Sequence, residues 1–169
     1  MRNWGVGMIV AAWLMLGGVV WLFMDGWVSR QTQPNAHLAE LPPGAAVVLR
    51  RNASGHYVAP GRINGVPVTL LVDTGATAVA LPAQVARRVG APAGQPLRTA
   101  TAAGTTTAYA TRLASVELGG LTAEDVGGVI VPDMPGETVL LGMSFLARFS
   151  LRMEGGELHI AEHAPTHRP

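Results

Sequence analysis

Cysteine is absent from this chain, so no disulfide can staple the fold, and whatever stability it has must come from packing. Charge is sparse as well. Only 14% of the 169 residues are charged, the net charge is +1, and no basic run is interleaved with aromatics, which argues against nucleic acid as a partner. Aspartate occurs at only four positions, Asp25, Asp73, Asp125 and Asp133, which narrows the choice wherever a catalytic acid is sought. From residue 3 to residue 24 there is no charged side chain at all. What remains is apolar: 49% of the chain is hydrophobic, enough for one globular domain with an appended segment.

The uncharged stretch reads as a transmembrane helix over residues 1–25. It is near the roughly 20 apolar residues that a bilayer requires, and Trp4, Trp13, Trp21 and Trp27 include residues placed like interfacial anchors. A cleaved signal peptide is the rival, but the apolar core is longer than the usual 7–15 residues and no small-x-small site follows closely. With Arg2 before the helix and Asp25 after it, the charge rule puts the N-terminus in the cytoplasm and the rest of the chain outside it, on a single-pass inner membrane anchor. Residues 26–45, with Gln31, Gln33, Pro34, Pro42 and Pro43, read as an extended linker without a core. Residues 46–162 form the domain and 163–169 a flexible tail.

Within the domain, Leu70-Leu71-Val72-Asp73-Thr74-Gly75-Ala76-Thr77 carries the most information. An apolar run reads as a buried strand and ends in an acid, a hydroxyl and a glycine, which delivers Asp73 at a rigid strand end. Upstream, residues 57–63 and 66–72 flank Asn64-Gly65, the dipeptide best suited to a two-residue type I′ hairpin turn. Downstream, Val79-Ala80-Leu81 is a short apolar piece before Pro82, residues 83–89 suit a helix capped by Gly90, and residues 139–141 form a second apolar run stopped by Gly142, with a short helix over 143–149. Elsewhere the pattern is β: residues 105–118, a Gly119-Gly120 turn, a short strand at 129–131, and a closing hairpin of 150–153 with 158–161.

These spaced elements resemble the retropepsin-like aspartic proteases, and among them the small membrane-anchored bacterial type. The resemblance rests on Ile63-Asn64-Gly65, on Leu71 to Thr77, on the small-residue segment Thr99 to Thr105, and on Leu140-Leu141-Gly142-Met143, and it spans roughly residues 55–160. It implies a mainly β, closed-barrel-like domain with one or two short helices behind the N-terminal transmembrane helix. It further implies an endopeptidase with Asp73 as catalytic residue, supported by Thr74, Gly75, Ala76, Leu141 and Gly142, and a flap at Ala102, Ala103, Gly104 and Thr105. Viral members carry an arginine after the second glycine, where this chain has Met143, so that arginine's role does not carry over.

Peptide hydrolysis by this chemistry needs two carboxylates, one acting as base on a water while the other donates a hydrogen bond to the carbonyl. Like charges at ~3 Å cannot both ionise, so the pair shares a proton. Asp25 lies at the membrane boundary, Asp125 sits in a Thr-Ala-Glu-Asp stretch that reads as a solvated turn, and Asp133 follows Pro132 in a loop. The second carboxylate is therefore expected from another copy of the chain, which makes the partners a polypeptide substrate, a second identical subunit and the lipid bilayer. No metal and no cofactor is called for.

Weaker constellations lead elsewhere. His159-Ile160-Ala161-Glu162-His163 has the order of an inverted zincin, but Gly155-Gly156 before it and Pro165 after it disfavour the helix such a site needs. Gly142-Met143-Ser144 lacks the last glycine of a nucleophile elbow, so Ser144 reads as a helix N-terminal residue, and His56 reads as structural. Asn52-Ala53-Ser54 is a glycosylation sequon of a common kind. Two other functions compete with the enzyme: a catalytically silent module that binds a peptide under its flap, and a structural domain whose dimer alone matters.

Overall fold

The computed structural model describes residues 13–16, 34–101 and 104–163, and the chain divides into two compact units, Met1–Gln33 and Pro34–Pro169. In the first unit the described residues form one helical turn with Trp13, Leu14, Met15 and Leu16 all exposed. Among the described residues no helix is long and apolar enough to cross a membrane; the span expected over 1–25 falls, apart from that turn, outside them.

Among its described residues the second unit holds ten strands and two short α-helices. Six of the strands close on themselves. β2 (Val58–Ile63) pairs antiparallel with β3 (Val66–Val72), and β3 runs parallel to β8 (Thr138–Leu141). β8 meets β4 (Val79–Pro82), which lies parallel to β7 (Leu121–Val131). β7 pairs with the long β6 (Gly104–Leu118), whose far end returns to β2 through Gly61↔Leu118 and Ile63↔Val116. The near end of β6 instead takes β5 (Pro96–Thr101) as its partner, with Thr101↔Gly104 the last pair before the two-residue connection, which lies outside the described residues. β1 (Val47–Arg50), β10 (Glu157–Ala161) and β9 (Ser150–Glu154) make a separate three-stranded sheet.

Local sequence accounts for most of these elements. Asn64 (φ 50°) and Gly65 (φ 77°) both adopt the left-handed conformation that a type I′ turn demands, so the β2–β3 register is set at its origin. Helix α1 (Ala83–Arg88) ends as a Schellman motif: Gly90 at φ 68° donates its N–H to Arg87, and Ala91 donates to Ala86. On β3, Val68, Leu70 and Val72 point into the barrel while Thr69 is exposed and Leu71 half-buried. Leu70, Leu81, Leu113, Leu118, Leu141 and Phe145 are fully buried, each worth about 1.5–3 kcal/mol of transfer free energy.

Three expectations need correction. The strand expected at 129–131 is eleven residues long, because Leu121 and Ala123 alternate inward with Thr122 and Glu124 outward along the same ladder. Asp125 is therefore in β7 and not in a solvated turn. It takes a left-handed φ of 51° without shifting the register on either side, and Arg148 donates to its carbonyl (2.8 Å) and to that of Glu124. The helix expected over 143–149 is only the turn α2 (Met143–Leu146), after which Arg148 and Phe149 donate to carbonyls three residues back.

The stretch read as a coreless tether also differs from expectation over residues 34–45. A 3₁₀ turn (Ala36–Glu40) buries Leu38, and Asn35 is wholly buried. Its Nδ2 donates to the carbonyls of Arg50 (2.9 Å) and Val58 (2.8 Å), and its Oδ1 accepts the Arg50 N–H (2.8 Å). Composition points to a linker, but three satisfied hydrogen bonds and one buried leucine are enough to lay this segment onto the packed unit.

Candidate active site

Asp73 stands where β3 leaves the barrel wall, half-buried, with Thr74 and Gly75 exposed beyond it. Its backbone N–H donates to the Leu141 carbonyl (3.1 Å), its own carbonyl accepts from Ala76 (3.2 Å), and its Oδ1 accepts the Gly75 N–H (2.8 Å). The carboxylate is thereby aimed by a backbone donor two residues on, an Asx-type arrangement, and Oδ2 has no hydrogen-bond partner among the described residues. No ion pair among the described residues includes Asp73.

Gly75 matters for a different reason from the one its position in a turn suggests. Its φ is not in the left-handed region; a Cβ there would instead come within 3.2 Å of Asp73 Oδ1. Thr74's hydroxyl makes no hydrogen bond among the described residues.

The second apolar run meets the first at this point. Ala76 accepts the Met143 N–H (2.8 Å) and Thr77 accepts the Ser144 N–H (2.9 Å), so loop 73–78 is spliced onto the start of α2. The close approach needs Gly142: a Cβ there would lie 2.3 Å from the Ala78 oxygen and 2.7 Å from that of Ala76. Leu141 and Gly142 are both buried beneath the loop. The structure thus brings Asp73, Gly75, Ala76, Leu141 and Gly142 together as one constellation. Ala102 and Ala103 lie outside the described residues, while Gly104 and Thr105 begin β6 in the β5–β6 hairpin.

One residue of the constellation escaped the sequence reading. Ser144 Oγ accepts the Val79 N–H (3.1 Å) and donates to the Gly127 carbonyl (2.7 Å), tying α2, β4 and β7 together behind the loop. Nothing in a Gly-Met-Ser tripeptide announces this. Two surface depressions, one against Arg148 and Phe149 and one between α1 and Pro132, lie away from Asp73, and no cluster of metal-binding side chains occurs among the described residues.

A six-strand ring with an Asp-Thr-Gly loop spliced to a buried Leu-Gly turn defines a retropepsin-like aspartic protease fold. Residues 59–148 match the gag-polyprotein putative aspartyl protease family, and the chain belongs to that family. A crystal structure of a retropepsin-like aspartic protease from Rickettsia conorii superposes with a TM-score of 0.58 at 28% identity, covering 70% of this chain and 90% of that one. The EIAV protease complexed with the inhibitor HBY-793 gives a TM-score of 0.47 at 20% identity, over 59% of this chain and 92% of that one. In sequence, the chain is 30% identical over 171 residues to an uncharacterized protein in the cobV 5′ region of a Sinorhizobium species, covering 90% of this chain and 72% of that protein.

Proposed function

We propose that this protein is a membrane-anchored aspartic endopeptidase that works as a homodimer, with Asp73 and Asp73 of the partner subunit sharing one proton across a two-fold axis. The observation that carries this reading is Asp73 itself, held at a strand end by Leu141, oriented by Gly75, and open on the other oxygen among the described residues. One carboxylate per chain is half of the required pair, and a two-fold axis through an exposed Thr74-Gly75 loop supplies the other half. The ionised carboxylate takes a proton from water as the water oxygen bonds to the scissile carbonyl carbon, the protonated one gives its proton to the carbonyl oxygen, and the tetrahedral species collapses by C–N cleavage, the amine leaving with the proton first taken from water. The β5–β6 hairpin acts as the flap, its tip at Ala102-Ala103-Gly104-Thr105 closing on an extended polypeptide.

Residues 1–25 anchor the chain in the inner membrane with the N-terminus cytoplasmic, the protease domain faces the extracytoplasmic side, and residues 163–169 form a free tail. The uncharged apolar run over residues 3–24 and the position of Arg2 support this arrangement. The test is full-length protein in detergent, assayed against a peptide library beside Asp73→Asn. Hydrolysis by the first and none by the second is the expected result; peptide binding without hydrolysis by either establishes the silent module instead.

A further inference from the structure

The loop at residues 132–137 links two parts of the site that the barrel otherwise keeps apart. At one end the Thr106 hydroxyl, on the β6 arm of the hairpin, donates to Asp133 Oδ2 at 2.9 Å. At the other end Gln84 Nε2 donates to the Gly136 carbonyl (2.7 Å) and Arg88 pairs with Glu137 (2.7 Å), which fastens the loop to α1. Between them Met134 packs, with Leu97 of β5 and Leu140 of β8, against the small buried cluster of Ala80, Ala108 and Val131. Immediately after the loop comes β8, whose last carbonyl, Leu141, holds the Asp73 N–H.

We propose that this loop is a latch on the hairpin, closed by the Thr106 to Asp133 hydrogen bond, so that the position of the flap arm is set through the same segment that leads into the support of Asp73. The proposal rests on the protease reading for its purpose but not for its test. Thr106 and Asp133 are positioning residues; neither reaches the reacting atoms. Among the described residues β5 has only β6 as a strand partner, and the hairpin rests on the barrel through Leu97 and Ala108, so the surface bond from Thr106 adds to that packing and biases the opening of the arm beyond it.

Hydrogen exchange on the full-length protein tests this without any substrate. Thr106→Val and Asp133→Ala should each speed exchange of amides in residues 97–108 roughly 2- to 12-fold, the factor one net hydrogen bond confers. The double variant should go no further than the larger single effect, and Thr106→Ser, which keeps the hydroxyl, should restore protection. In the active enzyme the same two variants should raise KM by a similar factor with kcat little changed. Exchange that is unchanged in Thr106→Val, or that rises equally in β9 and β10, overturns the latch. Exchange that behaves as described in a protein without hydrolytic activity leaves the latch standing and removes the protease reading.

Discussion

The two apolar runs that end in a glycine motif begin alike and finish differently. β3 and β8 lie side by side in parallel, Val72 opposite Leu141, and both deliver their last residue to the same end of the barrel. After β3 the chain presents chemistry: a half-buried acid followed by two exposed residues. After β8 it presents support: Leu141 and Gly142 are buried, and the next two residues give their N–H groups to the other loop. Similar strand endings thus diverge because one side chain can ionise and the other position cannot hold a side chain at all. The lesson is that a site of this kind needs an asymmetric pair within the chain, one strand end that carries the acid and one that supports it.

Removing the acid is the sharpest way to separate the two roles. Asp73→Asn is nearly isosteric and keeps an oxygen for the Gly75 N–H, so it should lower peptide hydrolysis by roughly a thousandfold or more while circular dichroism and thermal unfolding stay close to wild type. Residual activity near wild type would place the chemistry elsewhere. The counterpart on the β8 side behaves in the opposite manner. Gly142→Ala pushes a methyl into two backbone oxygens that cannot turn aside, so stability should fall by about 3 kcal/mol and activity should fall with it. A variant with wild-type denaturant midpoint would show that the splice is looser than the 2.3 Å approach implies.

Ser144→Ala probes the same support one residue further on. It leaves the Val79 N–H and the Gly127 carbonyl without their partner, at about 1–3 kcal/mol in urea unfolding, and Ser144→Thr should recover part of that if the hydroxyl is what matters. The smallest effect is expected at Thr74, which the subunit leaves exposed. If its hydroxyl engages the partner subunit, Thr74→Val should weaken dimerisation by about 1 kcal/mol, a shift of roughly fivefold in Kd by sedimentation, with monomer stability unchanged. An unaltered monomer–dimer equilibrium would confine Thr74 to its own loop.

Legibility in the sequence followed the range of the interactions involved. Asn64-Gly65, the helix closed by Gly90, and the strand ending in Asp73 are set by residues within a few positions of one another, and each lies where local propensity puts it. Residues 121–128 do not read as strand because Glu124 and Asp125 have the polarity of a turn, whereas the β6 ladder continues on either side of Asp125, with Ser115 opposite Glu124 and Leu113 opposite Val126, and Arg148 beyond the second helix holds the two carbonyls. Asn35 was missed for the same cause: its partners, Arg50 and Val58, are 15 and 23 residues away. Ser144 reaches across 65 residues to Val79, and no spacing rule covers that.

Sequence alone determined the β character of the domain, its hairpin turns, the solitary Asp-Thr-Gly and the charge-free N-terminal run, because turn conformation, strand alternation and side-chain chemistry are local properties of the chain. Only the tertiary structure decided that β6 returns to β2 and closes the ring, that residues 34–45 belong to the packed unit, and that Gly142 and Ser144 carry the weight of the Asp73 loop. Those outcomes depend on which distant backbone donors and acceptors meet once the apolar faces are buried, and that pairing is a property of the packed barrel.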